Sequence, residues 1–261
     1  MTLYLEGLTA QLRVVLALVL RDMRSRFSHT FIGYIIMVLW PLSHLLALLV
    51  TYLFTRSLVP IGTSAAVFFA TGLLPYILCL YPSRMIAMAL VQNQPLLYFP
   101  IVKSLDVILA RGVLEIVTSF WVVFIFSVLL FIFDVDIYPS QPEEALLAIA
   151  ATIYLSFSMG FLSAVLFKLV RAWMIILIIS MIGMYFSSGA LFLPSAFPEQ
   201  IQYYMSFNPL FHSVEWLRSA YYDGYNYGLL SRQYLVGFST VLLCLGLALE
   251  RLVRGYLLEP N

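Results

Sequence analysis

Six long apolar runs decide what this chain can fold into: 31–54, 65–81, 112–133, 145–167, 172–192 and 234–253. A helix needs about 20 mostly apolar residues to cross the hydrocarbon of a bilayer. The runs are continuous Leu, Ile, Val and Phe without alternation. They therefore predict spanning helices, whose backbones are satisfied internally, and argue against a porin-like barrel. A water-soluble fold is excluded, because 62% of the residues are hydrophobic and only 10% are charged, against roughly 25% in soluble domains. The expectation is an all-α integral membrane protein with six transmembrane helices, forming one domain over 1–261.

Lys and Arg set the orientation. With the N-terminus inside, the cytoplasmic segments hold Arg13, Arg21, Arg24, Arg26, Arg84, Lys103, Arg111, Lys168, Arg171, Arg251 and Arg254. The other side holds only Arg56, Arg218 and Arg232, and the loop after the third run carries Asp134, Asp136, Glu143 and Glu144 without a base. Both termini are thus expected in the cytoplasm. Charges in the first 30 residues follow an amphipathic pattern, so no cleavable signal is expected. Cys79 and Cys244 each lie inside an apolar run and predict neither a disulfide nor a metal site. The net charge of +1 points to no nucleic-acid partner.

Three segments lie outside the runs. Residues 8–28 place Leu12, Val15, Leu16, Val19, Leu20, Met23 and Phe27 at helical spacing, with arginines opposite, and read as an interfacial helix. Either it is held by anionic lipid, or Arg21, Arg24 and Arg26 also guide an anionic substrate. In 93–103, Asn93 can cap a helix, Pro95 suits its first turn, and Pro100 ends it. Leu96, Leu97, Tyr98 and Phe99 would be exposed there, which suggests a docking element for a cytoplasmic partner, bounded by Lys103. The third is 183–224, where an apolar run breaks at Pro194 and Pro198 and again at Asn208-Pro209. Asn208-Pro209 reads as cap plus first helical residue, and Glu215 and Arg218 can pair across one turn. Tyr203, Tyr204, Tyr221, Tyr222, Tyr225 and Tyr227 form an interfacial belt or contact sugar rings.

Polar groups within spans usually face protein or water. Trp40 and Pro41 precede His44, which either hydrogen-bonds a neighbouring helix or lines a conduit. Arg111 and Glu115 read as a structural ion pair at i,i+4. Arg84 either snorkels to lipid phosphate or binds a substrate anion. The chain contains no phosphate loop, no His-Glu-x-x-His and no nucleophile elbow. No catalytic constellation is visible, and a docking element on a multi-span chain suggests that an energy-consuming partner is a separate polypeptide.

These features resemble the permease subunit of ABC-2 type exporters, and within them the capsular polysaccharide export permeases of Gram-negative bacteria (KpsM type). The carriers are Ser188-Gly189, Phe192, Pro194 and Pro198, then Asn208-Pro209-Leu210 with Glu215 and Arg218, and SVEWLRSAYYDG over 213–224. Residues Asn93 and Leu96 to Pro100 are similar to that family's coupling helix. The resemblance implies a homodimer in the bacterial inner membrane with two ATP-binding subunits, which would hydrolyse ATP with Mg; the chain itself would be no enzyme and hold no cofactor. It implies two re-entrant external helices, about 193–205 and 209–222, with Gly189, Pro194, Asn208, Pro209, Glu215 and Arg218 at an external gate. The substrate would be an acidic glycan on a phospholipid anchor. Further partners would be a periplasmic adaptor, an outer-membrane polysaccharide pore and membrane lipids. Export of O-antigen, teichoic acid or a drug on the same scaffold, and a membrane enzyme or scaffold, are the alternatives.

Overall fold

Each apolar run contains a helix, and no strand occurs among the described residues. The computed structural model describes the backbone of residues 2–26, 31–55, 61–225 and 228–257, and the side chains of 9–24, 35–54, 61–225 and 228–255. Arg56, Tyr227, residues 27–28 of the expected interfacial helix and the side chain of Arg26 lie outside the described set.

In chain order the α-helices are α1 (Thr2–Arg26), α2 (Phe31–Thr55), α3 (Ala65–Ala87), α4 (Ala89–Gln92), α5 (Ser104–Ile132), α6 (Pro142–Leu169), α7 (Trp173–Phe186), α8 (Glu199–Met205), α9 (Pro209–Tyr221) and α10 (Arg232–Leu257). Short 3-10 turns occupy Gln94–Tyr98 and Pro194–Ala196. Among the described residues, five helices are long and apolar enough to cross a membrane: Ile35–Phe54 within α2, then α3, α5, α6, and Arg232–Gly255 within α10.

The fifth run departs from expectation. Its helix α7 has 14 residues, about 21 Å at the helical rise and short of the roughly 30 Å hydrocarbon thickness. Serine chemistry ends it. Ser187 and Ser188 donate their hydroxyls back to the carbonyls of Gly183 (2.9 Å) and Tyr185 (2.8 Å), offering the backbone an alternative to further helix. Gly189 follows at φ +76°, a left-handed conformation that stops the helix.

Two other runs extend beyond their apolar limits. Helix α3 continues past Pro82 to Ala87, and Ser83 bonds back to the carbonyls of Cys79 (2.6 Å) and Leu80 (3.1 Å) around the proline. Helix α5 starts at Ser104 because Asp106 accepts from the Lys103 amide (3.0 Å) and places a carboxylate in the first turn.

Helix α3 forms the centre. Every residue from Val67 to Cys79 is buried, as expected of a helix apolar on all faces. Against it α6 presents Ser156 and Gly160, where a Cβ would meet Ile86 at 2.8 Å and Ser83 at 2.9 Å, small residues that let two backbones approach where apolar area alone supplies no drive. Ser156 donates to the Cys79 carbonyl across this contact (3.0 Å). Two apolar clusters result, one including α9, the other at the α1 end. Helix α1 divides its apolar face: Leu18 and Val19 are buried against the bundle, whereas Leu12, Leu16 and Leu20 are exposed.

Candidate functional site

Arg218 organises the α9 end of the molecule. The side chain is fully buried. Its Nη1 donates to the carbonyls of Gly189 (2.7 Å) and Phe192 (3.2 Å) and to Glu215 Oε1 (3.2 Å). Its Nη2 donates to the Ala190 carbonyl (3.0 Å), and the guanidinium lies 4.3 Å from the centre of the Phe68 ring. Glu215 is equally buried and accepts a second bond from Tyr225. The predicted i,i+3 pair therefore forms, and it does more than brace its own helix: it holds the turn that follows α7. That turn packs on α3 at Gly72, where a Cβ would meet the Ala190 carbonyl oxygen at 2.1 Å. Pro194 packs over Gly189.

Asn208 joins the same two elements. Its Oδ1 accepts from the Leu210 amide (2.9 Å), capping α9 with Pro209 next in line. Its Nδ2 donates to the Met184 carbonyl (2.7 Å) and to Ser187 Oγ (3.0 Å). His212 lies between the Ser206 carbonyl (2.8 Å from Nε2) and the Ser231 amide (3.1 Å from Nδ1). Accepting at Nδ1 and donating at Nε2 requires the neutral ring. The expected first external helix is split into the Pro194–Ala196 turn and α8. The four other residues of the expected gate, Asn208, Pro209, Glu215 and Arg218, are thus committed to interior bonds or packing, and the arrangement is a clamp between segments. Sequence spacing found Asn208, Glu215 and Arg218. It missed Gly72, whose role depends on a neighbour far along the chain.

The tyrosines do not act as one set. Tyr203 and Tyr204 are exposed on α8, with Phe207 edge-on to Tyr203 at 5.1 Å. Tyr221 is half-buried and borders a groove with Asp134 and Asp136. Tyr222 packs its ring on Gly62, and its hydroxyl is buried.

At the α1 end the expected coupling helix is a five-residue 3-10 turn, Gln94–Tyr98, followed by a bend. Asn93 does not cap it. Its Nδ2 donates to the Ala89 carbonyl (3.1 Å), and its Oδ1 accepts from Arg21, which also pairs with Asp22 (2.8 Å). The segment is gripped at its other end too: Lys103 donates to Gln11 Oε1 (3.1 Å), and Gln11 donates to Asp106. Leu97, expected outside, is buried in the cluster with Leu18, Val19 and Ile86. Leu96 is half-buried, whereas Tyr98, Phe99, Pro100 and Ile101 are exposed. Alternation cannot be read from so short a turn, which is why Leu97 was expected outside. Ser104, at the start of α5, donates to Glu250 of α10, which pairs with Arg254 (2.9 Å).

Between α2, α3 and α5 a cavity of about 360 Å³ brings together Trp40 and Arg84, with Tyr81, Glu115, Thr118 and Ser119. Arg21 and Arg24 do not line it. His44 hydrogen-bonds Tyr81 Oη on the neighbouring helix (3.0 Å). Arg111 and Glu115 pair at 2.9 Å as spaced. Among the described residues no group of three His, Cys, Asp or Glu is placed to hold a metal ion.

Residues 13–222 match the family described as ABC-2 type transporter. The chain is 33% identical over 250 residues to the polysialic acid transport protein KpsM of Escherichia coli, covering 94% of this chain and 95% of that protein. It is 29% identical over 264 residues to the capsule polysaccharide export inner-membrane protein CtrC of Neisseria meningitidis serogroup A, covering 100% and 98%.

Proposed function

The chain belongs to the ABC-2 type transporter family, and from that membership we propose that it is the membrane-spanning permease of an exporter that moves capsular polysaccharide across a bacterial inner membrane. The observation that carries the cargo is similarity along the whole chain to a polysialic acid transport protein and to a capsule polysaccharide export inner-membrane protein. The chain itself carries helices and buried structural pairs, and the chemical work falls to a partner.

The chain is one transmembrane domain that crosses six times, with α7 and the turn after it making the fifth crossing, and both termini are cytoplasmic. Two copies pair, and two ATP-binding subunits supplying ATP and Mg dock at Tyr98, Phe99 and Ile101. The exposed apolar character of these side chains supports that placement. Arg24, beside the engaged Arg21, meets the acidic head of a lipid-anchored glycan. Tyr203, Tyr204 and Phe207 offer ring faces to sugars on the far side. A periplasmic adaptor and an outer-membrane pore continue the route.

Deleting the gene should remove surface polysaccharide, and the wild-type chain should restore it. Affinity purification should bring down an ATP-binding subunit whose turnover rises with lipid-linked acidic glycan. Surface polysaccharide that persists in the deletion strain sinks the cargo assignment; absence of an ATPase partner sinks the family mechanism.

A further inference from the structure

The cavity between α2, α3 and α5 has a cause in the sequence. Pro41 and Pro82 face it from two helices, and neither can donate to the carbonyl four residues before it, at Met37 and Leu78. Both of those residues also line the space. Two loosened helices thus meet over a hollow walled mostly by hydrocarbon, Ile77 and Val122 among it, with Glu115 in the lining already paired to Arg111. At one end stands Arg84, exposed and without an ion-pair partner among the described residues. From Arg84 to Ile77 the helical rise gives a depth of about 10 Å. Ser119, 2% exposed, turns an unpartnered hydroxyl into the wall.

We propose that this cavity is a binding site for one acyl chain of a bilayer phospholipid whose phosphate is held by Arg84. An apolar slot with a single free guanidinium at its mouth matches that chemistry, because guanidinium–phosphate hydrogen bonds are charge-assisted and an alkyl chain needs only hydrocarbon walls. The lining offers one unpaired cation and few free hydroxyls, Tyr81 being bonded to His44, which suits a phosphate and not a sugar chain. The second acyl chain stays in the bilayer beside exposed Trp40 and Ile36. The site does not depend on what cargo is exported, so labelling and an export assay fail separately.

The test uses the full chain in vesicles containing phosphatidylglycerol with a photoactivatable diazirine at one acyl terminus, or diacylglycerol carrying the same chain and no phosphate. Phosphatidylglycerol should label peptides over 36–41, 77–85 and 115–122 about tenfold more than diacylglycerol, the scale of one charge-assisted bond. Arg84→Gln, at an exposed position, should abolish that difference and Arg84→Lys should keep part of it. Ser119→Leu should reduce labelling by both probes. Equal labelling by both lipids that Arg84→Gln leaves unchanged, or labelling spread evenly over α2 and α10, overturns the proposal. Displacement of the label by a phosphatidylglycerol bearing a sugar headgroup, but not by unlabelled phosphatidylglycerol, would assign the cavity to the cargo's anchor and overturn it equally.

Discussion

Arg218 donates to the main-chain carbonyl of Gly189 at 2.7 Å, and that bond joins α9 to the turn ending α7. Replacing Arg218 with Met would leave Glu215 buried without its cation and three carbonyls without their donor. The expected loss is about 3–5 kcal/mol, the cost of breaking a buried pair from one side. It is checked by thermal unfolding of purified protein and by the yield of monodisperse material. Combining Arg218→Met with Glu215→Leu should recover much of the loss, since the orphaned charge disappears. A double variant no more stable than the single one would show that the carbonyl contacts carry the cost.

Gly72 and Gly183 separate close packing from helix propensity. Gly72→Ala should destabilise by roughly 1–3 kcal/mol, because its Cβ would meet the Ala190 oxygen at 2.1 Å. Gly183, within α7, has nothing within 4 Å of an added Cβ. Gly183→Ala should leave the unfolding midpoint unchanged or raise it by the equivalent of about 0.5–1 kcal/mol. A reversed ranking of the two midpoints would contradict the contact between α3 and the 187–193 turn.

Asn208→Ala removes the α9 cap and the bond to Met184 together. A loss of about 1–2 kcal/mol is expected, the upper range for a cap, because the bonds to Met184 and Ser187 go with it. Asn208→Asp keeps the acceptor for Leu210 and loses the donor to Met184. Unfolding midpoints of the two variants divide the effect; equal midpoints would show that the cap contributes nothing measurable.

The turn Gln94–Tyr98 presents neighbouring residues to opposite environments. Leu97→Ala should cost about 2–5 kcal/mol of stability, as for a leucine in a packed core. Phe99→Ser and Ile101→Ser, on the exposed side, should leave the unfolding midpoint within about 0.5 kcal/mol of wild type. They should nevertheless weaken co-purification of the ATP-binding subunit. Unimpaired co-purification with both serine variants would move the docking surface elsewhere.

How much of this was legible in the sequence depends on how far apart the partners lie. Asn208-Pro209 and the Glu215–Arg218 spacing declare themselves within one turn, and both interactions form. The apolar runs located the helices, yet apolarity continues through 187–193, where Ser187, Ser188 and Gly189 end α7. Composition outvoted local serine and glycine chemistry there. The contact of Gly72 with Ala190, the Arg21–Asn93 bond and the Gln11–Asp106 bond span large separations and leave no periodic trace. Leu97 faces inward into the cluster with Leu18 and Val19 without a sequence signal, since a five-residue 3-10 turn has no amphipathic period to read.

The partners of Arg218 carry an implication for biosynthesis. Phe68, Gly189, Ala190, Phe192 and Glu215 all precede it in the chain. When the ribosome delivers Arg218 to the membrane, the carbonyls and the ring that will receive it have already been synthesised. An isolated arginine entering hydrocarbon is costly, so α9 gains a stable resting place only after α3 and α7 are docked. Docking of α9 therefore follows that of α3 and α7, and a ribosome stalled before residue 218 would leave an assembly still waiting for its keystone.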